Sequence, residues 1–218
     1  MSDSATPRSE NAVNVLRRIA QPRVVEEQCE FCSVPIAPIH RHLLETAKHK
    51  IICACDPCAL RFESVVNGRF KLVPRDARLL PNFCLTDGQW DAFALPINLT
   101  FFYRDTLAGK MVAMYPSPAG ATESLLPADN WKALEADNPA LAKMESDVEA
   151  LLVNRIGAAR EYFITPIDMC YELVGLIRMH WRGFTGGEKV WQEIDGFFAA
   201  LREKTGASSA TATEVLHA

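Results

Sequence analysis

Cys29-Glu30-Phe31-Cys32 and Cys55-Asp56-Pro57-Cys58 are two C-x-x-C pairs with twenty-two residues between them. No other feature constrains the chain as much. A two-residue spacing turns both sulfurs of a pair toward one ion, and nearby backbone N–H groups stabilise the thiolates. Two such pairs supply the four corners of a tetrahedron. Pro57 stiffens the second turn, and the strand-like Lys50-Ile51-Ile52-Cys53 leads into it. Cys29, Cys32, Cys55 and Cys58 are therefore the expected metal ligands, with zinc as the ion. Iron is the alternative, because tetrahedral sulfur suits both. Four thiolates leave no open position for a substrate, so the expected role of the metal is structural.

Three neighbours keep alternatives open. Cys53 stands in a C-x-C-x-x-C run and could replace Cys55, although a core cysteine is the simpler reading. His40 and His42 lie between the pairs, and strand alternation would put both on one face. Either could be a ligand or a general base. The simpler reading is a supporting histidine bonded to a cysteine carbonyl, since neither has an acid partner or nucleophile nearby in sequence.

The seven cysteines support a metal cluster over disulfides, because the first residues hold no apolar core of a signal peptide. The expected compartment is the cytoplasm. A formal charge of −4 gives no reason to expect a nucleic-acid partner. The most apolar stretch, 167–181, is interrupted by Asp168, Glu172, Arg178 and His180, so no membrane span is expected.

Beyond the cysteines the pattern is mixed. A short helix is expected over 14–20, ended by Pro22. Phe70–Val73 follows the hairpin-type pair Asn67-Gly68. Asn98–Tyr103 and Met111–Tyr115 flank a loop at 105–109, and Glu149–Val153 and Glu161–Thr165 flank another at 155–159. Both read as antiparallel hairpins. Pro127–Glu135 is a short helix that Asp129 could cap. Thr165-Pro166-Ile167-Asp168 has the order of a helix start: hydroxyl cap, proline, first-turn acid. The helix it opens is apolar nearly all round. A last helix from Glu188 to about Glu203 carries Val190, Trp191, Ile194, Phe197, Phe198 and Leu201 as one stripe. The fold class is α+β: an N-terminal four-cysteine zinc module, then a small antiparallel sheet packed on C-terminal helices. The expected division is a flexible segment at 1–27, the metal module at 28–66, the α+β domain at 67–205 and a disordered tail at 206–218.

Other candidates have plain structural readings. The run Tyr115-Pro116-Ser117-Pro118-Ala119-Gly120-Ala121-Thr122-Glu123-Ser124 matches no phosphate loop or nucleophile elbow and reads as a rigid surface loop. His180-Trp181-Arg182-Gly183-Phe184 reads as a helix end with Gly183 as terminator; its aromatic and arginine content also suits docking. Asp147 and Glu149 read as acids on a solvated face. No serine, histidine and acid recur at triad spacing.

From Cys29 to about Leu201 the chain resembles an uncharacterised bacterial family. Its members are often encoded beside genes for nickel–iron hydrogenases, particularly the high-affinity, actinobacterial type. The resemblance rests on the two C-x-x-C pairs, His40-Arg41-His42-Leu43-Leu44, Cys53-Ala54-Cys55, the run 115–124 and the run 180–184. It implies an accessory or maturation factor and gives no residue a role. The combined expectation is a non-enzymatic zinc-binding accessory protein that contacts a hydrogenase subunit or assembly intermediate. The segments 115–124 and 180–184 are the first docking surfaces to test. Two alternatives stand beside it: a small iron–thiolate redox protein exchanging electrons with a hydrogenase, and an enzyme acting through His40 or His42 at an open metal position.

Overall fold

The computed structural model describes residues 27–65 and 69–206. The helix expected over 14–20, the Asn67-Gly68 turn and the tail from 207 lie outside the described residues.

The cysteine-rich half is built on a hairpin. Strand β1 (Arg41–Glu45) pairs antiparallel with β2 (Lys50–Ala54) across a short 3-10 turn, and β3 (Phe70–Leu72) pairs antiparallel with the other edge of β1. The order is β2-β1-β3, so β3 does not form a hairpin with the strand that precedes it in the chain. Between β2 and β3 lies α1 (Asp56–Val65), a helix that the cysteine-rich segment did not announce. Leu43, Ile52, Ala54, Ala59 and Phe70 form the core between α1 and this sheet.

The larger sheet has six antiparallel strands in the order β4-β9-β8-β5-β6-β7. Its strands are β4 (Arg78–Leu79), β5 (Leu99–Asp105), β6 (Lys110–Ser117), β7 (Gly120–Ser124), β8 (Glu149–Asn154) and β9 (Glu161–Pro166). The hairpins β5–β6 and β8–β9 form around the two loops as the flanking apolar runs predict. On one face Leu99, Phe101, Tyr103, Leu152 and Phe163 pack under α4 (Ile167–His180) and α5 (Glu188–Lys204). On the other, Phe102, Leu151, Val153 and Ile164 meet Trp90 of α2 (Asp87–Ala92) and Trp131 and Leu134 of α3 (Ala128–Asp137). The expected sheet with one helical face thus has helices on both. That is why all six residues of β8 are buried and why its Ala-Leu-Leu-Val run is continuously apolar. Helix α2 opens with a capping box: Gln89 N–H donates to Thr86 Oγ1, and Thr86 N–H donates to Gln89 Oε1.

Several local expectations are corrected. The run 115–124 is the β6–β7 hairpin, with Ser117 opposite Gly120 around a two-residue tip. Thr165 does not cap α4. Strand β9 continues through Pro166, which takes the cap position, and the Thr165 hydroxyl instead lies 3.4 Å from the buried Cys170 sulfur. Pro127, not Asp129, stands at the start of α3. Helix α4 closes at Trp181, and Gly183 shapes the loop beyond it.

Asp147 and Glu149 are buried, contrary to expectation. Asp147 accepts hydrogen bonds from the Thr106 N–H (2.8 Å) and hydroxyl (2.6 Å), and its carboxylate lies 2.6 Å from Lys71 Nζ. Glu149 receives Arg78 at 2.9 and 3.0 Å and the Glu145 N–H at 2.8 Å. Each acid is tolerated inside because its lone pairs are taken and a cation faces it. The first-named pair also ties β3 of the small sheet to the large one.

Candidate metal centre

Residues 28–35 fold back on themselves. Gln28 bridges Pro35, Cys29 N–H donates to Val34 O (2.9 Å), Ser33 N–H donates to Cys29 O (2.8 Å), and Ser33 takes the left-handed conformation the turn needs. This knuckle presents Cys29 and Cys32. The second pair sits where β2 gives way to α1: Cys55 precedes the helix and Cys58 is in its first turn. Pro57 fits there because first-turn N–H groups have no intrahelical acceptor. Phe31, inside the first pair, stacks on Phe62 of α1 with centroids 4.0 Å apart and meets Phe70 edge-on. Glu30 binds the knuckle to β2: its N–H donates to Cys53 O, its carboxylate accepts from Cys53 N–H, and Lys50 Nζ reaches it at 2.5 Å.

The four sulfurs of Cys29, Cys32, Cys55 and Cys58 all lie within 4.8 Å of one another, and those of Cys32 and Cys55 are 3.7 Å apart. Four ligands at the usual zinc–sulfur distance stand about 3.8 Å apart at the corners of a tetrahedron. The set therefore fits a single tetrahedral ion, zinc or iron. All four cysteines are free thiols. Burial pushes the Cys29 thiol up, but the backbone N–H groups of Cys55, Cys32 and Phe31 outweigh it and bring the pKa down to about 6. Cys58 is driven the other way, to about 12, by burial and then by the thiols of Cys55, Cys32 and Cys29. Sulfurs this close cannot all ionise by themselves, and a cation in their midst removes the conflict.

Cys53 is not a core cysteine. It is half-exposed, on the opposite face of β2 from Ile52 and Ala54. His42 stands directly across from it in the β1–β2 register. The ring centroids of His40 and His42 are 4.7 Å apart, as alternation predicts. His40 Nδ1 bonds Ala37 O at 2.9 Å rather than a cysteine carbonyl. His42 has an acid partner that its neighbours in sequence do not supply: Asp168 Oδ2 lies 2.6 Å from His42 Nδ1. Cys84 and Cys170 stand apart from these groups. Burial lifts the Cys170 thiol to about 12, so it is inert.

The two segments singled out for docking come together at the C-terminal end of α4, the opposite end of that helix from Asp168. Tyr115, Pro116 and Pro118 line one wall of an apolar pocket of about 380 Å³, and Ile177, Trp181 and Trp191 line another. Beside it, the loop 182–186 is closed by an Arg182–Gly186 bridge and held by Trp181 Nε1 on Gly183 O and Trp191 Nε1 on Thr185 O. Phe184 projects fully exposed from its tip. Gly186 has φ +86°, and a Cβ there would meet Val190 Cγ1 at 2.8 Å.

Fold and site together define an α+β protein with a four-cysteine cluster of metal-site geometry at the head of its sheets. The chain belongs to the family of unknown function DUF5947, whose model matches residues 28–205. No curated protein and no solved structure matches it. Among the described residues no helix is long and apolar enough to cross a membrane.

Proposed function

We propose that Cys29, Cys32, Cys55 and Cys58 hold one structural zinc ion, and that the protein is a non-enzymatic accessory or maturation factor. Its partner would be a nickel–iron hydrogenase subunit or assembly intermediate, contacted through the face formed by 115–118 and 181–184. The observation that carries the metal reading is the closure of four sulfurs from two separate turns around a single point. A bound ion would supply cross-linking and charge neutralisation there. The partner reading draws on the resemblance, and the exposed Phe184 on a tied-down loop beside an apolar pocket supports it as a surface. Exposed aromatics on rigid loops are typical interface anchors.

Elemental analysis and an optical spectrum of protein purified from its native host test the metal. One zinc per sulfur cage and no visible absorption is expected. Iron with thiolate charge-transfer bands would replace the structural reading with the redox one, for which the exposed Cys32 offers a short path from solvent to the ion. Retention of hydrogenase subunits on the immobilised protein, and their loss with Phe184→Ser, tests the partner.

A further inference from the structure

We infer that His40, His42 and Cys53 form a second metal site, with three protein ligands and an open fourth position, beside the four-cysteine cage and distinct from it. One nitrogen of each imidazole and the Cys53 sulfur all lie within 4.8 Å of one another. The β1–β2 register produces this grouping. His42 and Cys53 are directly opposed across the hairpin, and His40 lies two residues before His42 on the same face. Cys29, Cys55 and Cys58 of the cage pack instead with Ile52 and Ala54, which lie on the opposite face of β2 from Cys53.

The hydrogen bonds orient both rings as a metal site requires. His42 Nδ1 is held by Asp168 at 2.6 Å, and Asp168 is itself fixed by accepting the Met169 N–H at 2.8 Å. His40 Nδ1 is held by Ala37 O at 2.9 Å, with a Glu27 carboxylate oxygen 3.5 Å away. With both Nδ1 atoms engaged, both Nε2 atoms are left as lone-pair donors. Metal-binding histidines carry this signature, the second ring nitrogen bonded to a carboxylate or a backbone carbonyl. Most telling is His40. Its side chain is 7% exposed, and among the described residues Nε2 is buried with no hydrogen-bond partner. A buried ring nitrogen left unmatched is destabilising unless something binds it.

Two imidazoles and a thiolate form a borderline-soft donor set suited to a first-row divalent ion, zinc foremost. Three protein ligands leave a tetrahedral ion one position for water or an incoming donor atom, unlike a closed cage. Leu44 and Ile51, the next residues on this face, pack into the core beneath α4. The site therefore lies where the metal module meets the larger domain, and Asp168 reaches it from the first turn of α4.

Titration of metal-free full-length protein with Co²⁺ alone, read by its visible d–d and thiolate bands, tests this. Wild type should take up two equivalents with different spectra. Cys53→Ser and His40→Gln should each lose the second equivalent and keep the first, with unchanged circular dichroism. Asp168→Asn should weaken the second by about 10–100-fold, the usual cost of losing such an orienting group. Cys32→Ser should lose the four-sulfur spectrum that Cys53→Ser keeps, which separates this inference from the structural-zinc reading. Uptake of a single equivalent by wild type, an undiminished second equivalent in Cys53→Ser or His40→Gln, or loss of the four-sulfur spectrum in Cys53→Ser would each overturn it.

Discussion

His42 and Asp168 meet at 2.6 Å across 126 residues of chain. This contact joins the first strand of the metal module to the first turn of the helix that backs the large sheet. Both side chains are about a quarter exposed, so the pair is shielded yet not sealed. Asp168→Ala removes a charge-assisted bond of a kind worth about 1.5–3 kcal/mol. The expected outcome is faster amide exchange in β1 and β2 with little change in β5 and β8. Uniform acceleration throughout both sheets would mean that the contact is not a local tie.

Cys58→Ser and Cys32→Ser should each abolish metal binding in the cage and unfold the knuckle and α1. The core under α4 and α5 is built from other residues and should survive. Metal content and exchange protection of α4 and α5 check this. Full metal content in either variant would show that the ligand assignment is wrong.

Asp147 gives a signed pH dependence. Burial pushes its carboxyl up, but the ion pair with Lys71 and the bonds from Thr106 outweigh it and hold the pKa below the ordinary value of 3.8. A group depressed in the folded state contributes stability that is fully present above its unfolded pKa. That contribution is lost as pH falls through the lower, folded value. Denaturant midpoints of wild type and Asp147→Asn should therefore differ at pH 7 and converge below the ordinary carboxylate range. A gap that stays constant into strong acid would contradict this.

Gly186→Ala should destabilise by about 1–3 kcal/mol, because a Cβ at that positive φ is strained and would also crowd Val190. Phe184→Ser, two residues away, removes a fully exposed ring and should change the melting temperature negligibly. Thermal melts of the two variants make the comparison. A large loss in Phe184→Ser would show that the ring packs on the protein rather than facing solvent.

What could be read from the residues alone was whatever depends on short-range pattern. The paired C-x-x-C turns state their own geometry, so the sulfur cluster was legible before any fold was known. The apolar runs at 98–103 and 149–153 beside their loops, and the helical stripe from Val190 to Leu201, likewise describe elements that neighbouring residues dictate. Helix α1 was not legible, because the metal motif and Pro57 mask its start. Nor was the burial of Asp147, since an acid reads as solvated until Lys71 and Thr106 arrive from elsewhere in the chain. The acid partner of His42 has no signal in spacing at all. Only the docking of the small sheet against α4 makes Asp168 its neighbour, because burial of Leu44 and Ile51 against the large core sets that distance and local sequence does not.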